Sequence, residues 1–320
     1  MLEGFNLKKI LTVGDAMVTF NPSQTGPLRF VSEFKRTVGG AELNFAVGLS
    51  RLGMQAKWLS RLGDDEFGKV IYTFARGEGI DVSNVEMTAM YPTSIYFKEI
   101  QENGSGKSFY YRQPSPLLAL QPEHITAELV KDVDAIHLTG VYLAVCSHNI
   151  KVALKLLALA KEYEIPVSFD PNLRLKLWSI EEARAAYEHI YPYVDILLTG
   201  KDEFELLFGS ATILQMEKVT ANYGFSQLVV KDGGNGAAVY DGQWIEQSAF
   251  PVKVVDTVGA GDAFDAAYMY GYLQNQTITD CLRLANAAGA LTTTVKGDNE
   301  GLPELEALYQ FVNKEKIIER

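Results

Sequence analysis

The chain has 320 residues, 47% of them apolar, enough to fill the core of one large domain or two small ones. It carries 29 basic against 40 acidic side chains, a net charge of −11. Nucleic acids and anionic membranes bind basic surfaces, so this balance argues against both as partners. An anionic small molecule is not excluded, because it responds to local groups rather than to the total charge.

The chain shows no sign of a targeting or membrane segment. It opens on MLEGFNLKKI, without a long apolar run, and no apolar stretch of 18 residues follows. Cys146 and Cys281 lie in apolar surroundings without metal or redox spacing, which favours two reduced thiols in a cytoplasmic protein. The four histidines are scattered with no i, i+4 pair, which argues against a histidine metal site.

Short apolar runs alternate with amphipathic segments, the pattern of a parallel sheet covered by helices. Ligands of such sheets bind beyond the carboxyl ends of the strands, so several loops should converge on one cleft. In chain order, the pattern predicts a strand at 10–15, helices at 41–52 and 66–76, a strand at 135–140, a helix at 148–163, a strand at 166–170, a helix at 180–190, a strand at 195–200, a helix at 202–208, a strand at 227–233, and helices at 262–274, 280–295 and 304–313.

One region departs from this alternation. Segments 93–100 and 108–113 read as strands joined by a turn through Asn103-Gly104, a hairpin signal. Segments 17–20 and 28–34 also look strand-like, with no helix between them. We therefore predict a small β-sheet lid projecting from the main sheet. Its predicted bounds, within a single domain over 1–320, are roughly 17–36 and 92–113.

The most informative motif is DTVGAGDAF, residues 256–264, which runs into an apolar helical pattern. Gly259, Ala260 and Gly261 have almost no side chain, so their N–H groups and the helix dipole can face an anion closely. Asp262 stands at the same helix start. An anion cradle beside a fixed carboxylate suits phosphoryl transfer, since the carboxylate accepts a hydroxyl proton while the cradle stabilises phosphate charge. The alternative role for Asp262 is an ordinary helix N-cap.

Two other glycine motifs are weaker. Gly106-Lys107-Ser108 looks like the end of a P-loop, but Gln101 stands where that loop needs glycine, and the context is a hairpin. Gly39-Gly40 precedes the first helix, where a tight turn and a close ligand approach are equally good explanations. No G-x-G-x-x-G follows the first strand, so a dinucleotide fold is not supported.

DTVGAGDAF closely resembles the C-terminal signature of ribokinase-like (PfkB-type) sugar kinases, and VGGAELNFAVGLSRLG (38–53) with RLGDDEFG (61–68) resembles their N-terminal signature. The likeness continues through VVKDGGNGAAVY (229–240) and LRLANAAGA (282–290), in order along nearly the whole chain. It implies a three-layer α/β/α fold with a β-lid, and transfer of the γ-phosphoryl group of ATP, with Mg²⁺, to a sugar hydroxyl.

The resemblance also implies roles for individual residues. Asp262 matches the general base, and Gly259 to Gly261 match the anion hole. The family tends to bind a monovalent cation such as K⁺ near this turn, and its lid strands often pair between subunits, so a homo-oligomer is expected. The positions that match the ATP site are Lys231, Gly233, Gly236, Asn286 and Asn172.

One family feature is altered. Members commonly carry Asn-x-x-Glu after the fourth main strand, where Mg²⁺ and phosphates are organised, whereas this chain reads Gly200-Lys201-Asp202-Glu203. Glu203 is therefore expected to order metal-bound water, and Lys201 to meet a phosphate. An ordinary charged helix start is the alternative for Lys201 and Asp202.

Within the family, GGAELN, the lid sequence YYR and FDPNLR (169–174) together are similar to kinases of 2-keto-3-deoxygluconate. A substrate carboxylate calls for guanidinium donors, and Arg112 and Arg174 are the candidates. The expected product is the 6-phosphate, formed at the terminal hydroxyl. The expected sugar contacts are Gly40, Asp15, Asn44, Tyr96, Tyr110, Arg112, Arg174 and Asp298.

Two alternatives share the fold. A neutral-ketose kinase such as a fructokinase would use the same phosphate machinery without the arginines. A catalytically silent sugar-binding protein would lack turnover despite binding the ligand. The intact Asp262 and its glycine turn favour an enzyme.

Overall fold

Two β-sheets organise the chain in a computed structural model that describes residues 7–101 and 106–314. The larger sheet has nine strands and the smaller has four. In chain order the strands are β1 (Lys9–Val13), β2 (Met17–Pro22), β3 (Phe34–Gly39), β4 (Gln55–Gly63), β5 (Asp81–Thr88), β6 (Ile95–Ile100), β7 (Gly106–Tyr111), β8 (Ala135–Thr139), β9 (Val167–Asp170), β10 (Ile196–Gly200), β11 (Gln227–Lys231), β12 (Ala237–Tyr240) and β13 (Trp244–Gln247).

Helices separate most of the strands of the larger sheet. Every predicted helix is present, with ends that differ by up to three residues, and three short or weakly patterned helices were not predicted: α3, α4 and α8. The helices are α1 (Ala41–Arg51), α2 (Glu66–Gly77), α3 (Ala127–Val130), α4 (Gly140–Val145), α5 (Asn149–Glu162), α6 (Ile180–Ile190), α7 (Lys201–Phe208), α8 (Ile213–Tyr223), α9 (Ala260–Leu273), α10 (Ile278–Thr292) and α11 (Leu305–Asn313).

The nine-stranded sheet has the order β13-β12-β11-β10-β9-β8-β1-β4-β5 and is parallel except where β12 pairs with its two neighbours. All five predicted strands lie at its centre, as β11, β10, β9, β8 and β1. Strand β4 was missed because Lys57 and Arg61 interrupt its apolar run. Both are buried, and Lys57 Nζ donates to the Leu129 carbonyl over 2.9 Å, while Arg61 pairs with Glu86.

Both faces of the larger sheet are buried, as expected when helices cover each side of a parallel sheet. Successive strand residues point to opposite faces. Ile10 packs in one core cluster with α1, α9 and α10, whereas Leu11 packs in the other with α5 and α6. Most of the central strands therefore read as apolar runs, with β4 as the exception.

The smaller sheet has the order β3-β2-β6-β7, with only the β2–β6 pairing parallel. The predicted strand at 28–34 is wrong: Leu28–Phe30 forms a 3-10 turn after Pro27, and β3 begins at Phe34 and continues past the predicted lid bound of residue 36. Residues 106–108 lie in β7, so they do not form a strand-to-helix P-loop. The predicted Asn103-Gly104 turn lies outside the described residues.

In the ranges that the structure describes, no helix has both the length and the apolar character needed to span a bilayer.

Asp65 fastens the smaller sheet to the larger one. At the N-terminus of α2, its Oδ1 accepts a hydrogen bond from the Gly68 amide, and its Oδ2 accepts one from the Thr93 amide, both at 2.8 Å. Thr93 lies two residues before β6, so one carboxylate caps a helix and fixes the start of a strand in the other sheet.

We predict that Asp65→Ala lowers the free energy of unfolding by about 1–2 kcal/mol, because two amides lose their acceptor. Urea denaturation measures the change. The neighbouring Asp64→Ala, which removes an exposed carboxylate, should change stability by less than about 0.5 kcal/mol. Equal losses in the two variants would contradict the assigned role of Asp65.

Candidate active site

The carboxyl ends of the parallel strands open into a cavity of about 870 Å³. The smaller sheet contributes Tyr96 and Tyr110 to its wall, and Arg112 follows directly after β7. Of the predicted site residues, those lining this cavity are Gly40, Asn44, Tyr96, Tyr110, Arg112, Asn172, Arg174, Glu203, Lys231, Gly233, Gly259, Gly261, Asp262 and Asp298.

The turn before α9 requires glycine at its first position. Gly259 has φ = +79°, and a Cβ there would overlap the Asp298 carbonyl oxygen. The helix starts at Ala260, two residues earlier than predicted, so Ala260, Gly261 and Asp262 form its first turn. The amides of a first turn lack intrahelical acceptors, and the helix dipole favours negative charge there. The anion cradle stays a prediction, which this helix start is able to accommodate.

Asp262 is half-buried beside this cradle. Its Oδ2 accepts a hydrogen bond from Asn44 Nδ2 over 2.8 Å. Burial raises the pKa of Asp262 to about 7, although the bond from Asn44 and the charge of Arg174 act in the opposite direction. A carboxyl group with this pKa is well suited to accept a proton near neutral pH.

A buried ion cluster lies directly behind the cradle. Lys231 Nζ is 3.1 Å from Asp170 Oδ2 and 3.0 Å from Asp265 Oδ1. Burial raises the pKa of Asp265 well above its usual value, and Asp265 hydrogen-bonds to Asp170. Burial also raises the pKa of Asp170, but Lys231 and Asp265 more than offset this and hold it below its usual value. These opposite shifts favour Asp265 over Asp170 as the holder of a proton in the cluster.

Glu203 fits a metal-bound water better than direct metal ligation. Its Oε1 accepts the Leu173 amide at 2.8 Å, and its Oε2 accepts the Gly200 amide at 3.1 Å. A carboxylate offers about four lone-pair positions, so acceptor capacity remains for water on Mg²⁺. Lys201, the predicted phosphate contact, pairs instead with Asp232 at 2.9 Å.

Arg112 forms a buried fork with Asp15. Arg112 Nε donates to Asp15 Oδ2 over 2.9 Å, and a second nitrogen donates to Oδ1. Asp15 was predicted to bind a sugar hydroxyl, but it does not line the cavity, and both of its oxygens face Arg112. The guanidinium has five N–H donors, so three remain beyond this fork for other acceptors.

Asp298 joins the smaller sheet to the loop beside α9. It accepts hydrogen bonds from Tyr96 Oη at 3.0 Å and from Lys98 Nζ at 2.9 Å. The rings of Tyr96 and Tyr110 are 5.3 Å apart, so the two predicted tyrosines form one wall. This arrangement gives Asp298, for which a plain turn role was an alternative, a defined place in the site.

A second cavity of about 450 Å³ adjoins the first and shares Lys231, Gly233, Thr257 and Gly261 with it. Gly236 and Asn286 line only this second cavity. Asn286 Nδ2 donates to the Gln247 carbonyl over 2.9 Å and so holds the end of β13. The remaining walls are mostly apolar, which suits a flat heterocycle with its phosphates directed towards α9.

Two predicted residues sit on the loop after β9. Asn172 has φ = +37°, and its backbone N–H donates to Asp170 Oδ1 over 3.0 Å. Arg174 is exposed at the cavity rim, and its charge lowers the pKa of Asp262. The loop therefore places the positive charge of Arg174 near Asp262 while the Arg174 side chain stays exposed.

Four buried polar residues around the site were not predicted from the sequence: Asp170, Asp265, Glu42 and Asn299. A signal existed for Asp170, because it ends the predicted strand 166–170. Asp265 lies one helical turn after Asp262, within an apolar helix where a carboxylate needs a partner. Glu42 and Asn299 are buried through contacts distant in sequence, which no local pattern shows.

Comparison with known proteins agrees with this geometry. The sequence pattern described as pfkB family carbohydrate kinase matches residues 7–305. The chain belongs to this family. The predictions of a ribokinase-like α/β fold and of a sugar kinase are thereby confirmed.

Individual relatives are similar over almost their full lengths. The chain is 34% identical to 2-dehydro-3-deoxygluconokinase of Thermoproteus tenax, over 92% of this chain and 91% of the relative. It is 32% identical to 5-dehydro-2-deoxygluconokinase of Clostridium perfringens, over 96% and 93%. A ribokinase II candidate from E. coli, crystallised with ATP and Mg²⁺, superimposes with a TM-score of 0.89 at 25% identity, over 96% of this chain and all of that one.

We predict that Lys231→Met lowers the free energy of unfolding by about 3–5 kcal/mol, because it leaves the Asp170 carboxylate buried without a counter-ion. Asp265→Asn is the matched control. It replaces a neutral acid by a neutral amide of similar shape and should cost less than about 1 kcal/mol. Chemical denaturation of both variants at pH 7 tests the charge assignment. Equal losses in the free energy of unfolding would contradict it.

Proposed function

We propose that this kinase transfers the γ-phosphoryl group of ATP to a sugar hydroxyl, with Asp262 as general base. The observation that carries the proposal is a carboxyl group with a pKa near 7 at the amide-lined start of α9, beside a cavity large enough for a sugar. The substrate oxygen forms its bond to the γ-phosphorus as the bond to the β-phosphate oxygen breaks. The hydroxyl proton passes to Asp262, and ADP leaves.

The second cavity is the proposed ATP site. Gly236 and Asn286 line its far end, and Gly233, Gly261 and Lys231 lie where it meets the first cavity, the proposed sugar site. Amides of the α9 first turn would stabilise charge on the transferred group. Lys231 lies beside them, but its charge is already paired with Asp170. The E. coli relative crystallised with ATP and Mg²⁺ supports ATP as the nucleotide.

Glu203 is the proposed residue that orients water on Mg²⁺, as its hydrogen-bonding capacity allows. Bound Mg²⁺ would supply charge neutralisation between the phosphates. Four further points stay predictions. They are a monovalent cation such as K⁺ near the turn before α9, a single kinase domain over 1–320, pairing of the small sheets as lids between subunits, and a cytoplasmic location.

We further propose 2-dehydro-3-deoxygluconate as the substrate, phosphorylated at its terminal hydroxyl to the 6-phosphate. Arg112 and Arg174 both line the sugar cavity, and the T. tenax relative carries that substrate in its name. Arg174 is the better carboxylate ligand, because its guanidinium is not committed to a buried carboxylate as Arg112 is to Asp15.

The Arg112–Asp15 fork favours a second candidate. If Asp15 holds the guanidinium in the complex as well, Arg112 contributes no net charge for a substrate carboxylate. A neutral ketose would then fit the cavity as well as a sugar acid does. The two candidates therefore differ in what they require of Arg174.

We predict that Asp262→Asn lowers turnover by about 10²-fold or more, because the amide cannot accept the proton. ATP affinity, measured by calorimetry, should change little, since the nucleotide cavity is intact. In the wild type, turnover should rise as the pH passes through about 7, where Asp262 loses its proton. Near-normal turnover in Asp262→Asn would refute the assigned base.

We predict that wild-type enzyme releases ADP fastest with 2-dehydro-3-deoxygluconate, in a panel that includes 5-dehydro-2-deoxygluconate and fructose. Arg174→Gln should raise KM for the sugar acids about tenfold or more and leave KM for fructose nearly unchanged, because only the acids lose a charge-assisted bond. Arg76→Gln, an exposed change on α2, is the control. Preference for fructose, with no effect of Arg174→Gln, would exclude the sugar-acid assignment and retain the kinase.

A further inference from the structure

A chain of two buried amides leads from the smaller sheet to Asp262. Asn299 Nδ2 donates to the Val38 carbonyl over 2.8 Å and to Asn44 Oδ1 over 3.2 Å. Asn44 Nδ2 in turn donates to Asp262 Oδ2 over 2.8 Å. Asn44 and Asn299 are each 3% exposed, so water does not compete freely for these groups.

The hydrogen bond to the Val38 carbonyl fixes the orientation of both side-chain amides. The Val38 carbonyl can only accept a hydrogen bond, so Asn299 must turn its NH₂ group towards it. The second hydrogen of that NH₂ group then meets Asn44, whose carbonyl oxygen must face it. The NH₂ group of Asn44 is thereby left to face Asp262. Without Asn299, the Asn44 amide could rotate and present its oxygen to the carboxylate.

We propose that Asn299 is a positioning residue for the phosphoryl transfer, which acts through Asn44 to hold a hydrogen-bond donor on the Asp262 carboxylate. Asn299 does not line the sugar cavity, so this role differs from substrate contact. The inference rests on the proposed role of Asp262 as base. It also gives the lid strand β3 a link to the base, since the first acceptor is the backbone of that strand.

The donor affects the base through charge. The bond from Asn44 lowers the pKa of Asp262 against the raising effect of burial, and the other charges that act on it are Arg174, Lys231 and Asp170. Loss of the donor therefore keeps the proton on Asp262 to a higher pH. The rise of activity with pH should shift upwards, while activity well above that range should be retained.

The test is a double-mutant cycle on kcat/KM against pH, with Asn299→Leu, Asn44→Ala and the double variant. The acidic limb is the part of the pH profile in which kcat/KM rises as Asp262 loses its proton. Asn299→Leu should move this limb up by about one pH unit and reduce kcat/KM at pH 7 about fivefold. At pH 9, kcat/KM should recover to within about twofold of the wild-type value. In the Asn44→Ala background the same change should have no further effect on the limb, because the path is already broken.

Arg51→Met is the matched control. Arg51 donates to the backbone carbonyls of Asn299 and Leu302, both over 2.9 Å, so its loss loosens the same loop without touching the amide chain. It should lower Tm and leave the acidic limb in place. If Asn299→Leu does not fold, Asn299→Ser replaces it, since one hydroxyl hydrogen cannot serve both acceptors.

Two results would overturn the proposal. In the first, the Asn299 variants lower Tm as Arg51→Met does and keep the wild-type limb. In the second, the effects of Asn44→Ala and Asn299→Leu on the limb add. If Asp262→Asn remains active, the base assignment itself has failed, and that outcome is separate from both.

Discussion

The site depends on one buried ammonium group. Lys231 at the end of β11 contacts Asp170 at the end of β9 and Asp265 on α9, so a single charge connects two strands with the helix that starts at the anion cradle. Removing a partner from such a cluster leaves a charge in a medium that solvates it poorly. The strand ends and the helix start are therefore held in one relative position, which also fixes the position of the first-turn amides of α9.

Helix α9 carries two carboxyl groups, one turn apart, that lie in different environments. Asp265 points into the ion cluster, where burial raises its pKa well above the usual value, whereas the pKa of Asp170 in the same cluster is held below its usual value. Asp262 borders the cavity, and its pKa lies near 7, because burial is partly offset by a donor from Asn44 and by the charge of Arg174. Environment rather than residue type separates the structural acid from the proposed base.

Much of the fold could be predicted because the buried parallel strands and amphipathic helices have distinct periodicities. The glycine turn before α9 was predictable because Gly259, Ala260 and Gly261 are consecutive in sequence. Strand β4 was not, because Lys57 and Arg61 reach acceptors far along the chain. The same holds for the Asp15–Arg112 fork and for the Asn299–Asn44 contact, whose partners are separated by 97 and 255 positions. Long-range polar pairing decides such residues, and no local pattern encodes it.

The same buried pairing determines how the cavity can recognise an anion. Arg112 is balanced by Asp15, and Lys98 by Asp298, so neither brings net charge to a ligand. Glu42 lies fully buried near the Arg112 fork, and burial raises its pKa to about 7, so it is mostly neutral below that pH. The sugar side of the cavity is thus close to electroneutral, apart from Asp262 and the exposed Arg174 and Lys176 on the loop after β9. A carboxylate of a bound sugar would meet uncompensated positive charge on that loop, and this is why the proposed choice between sugar acids and neutral sugars is tested at Arg174.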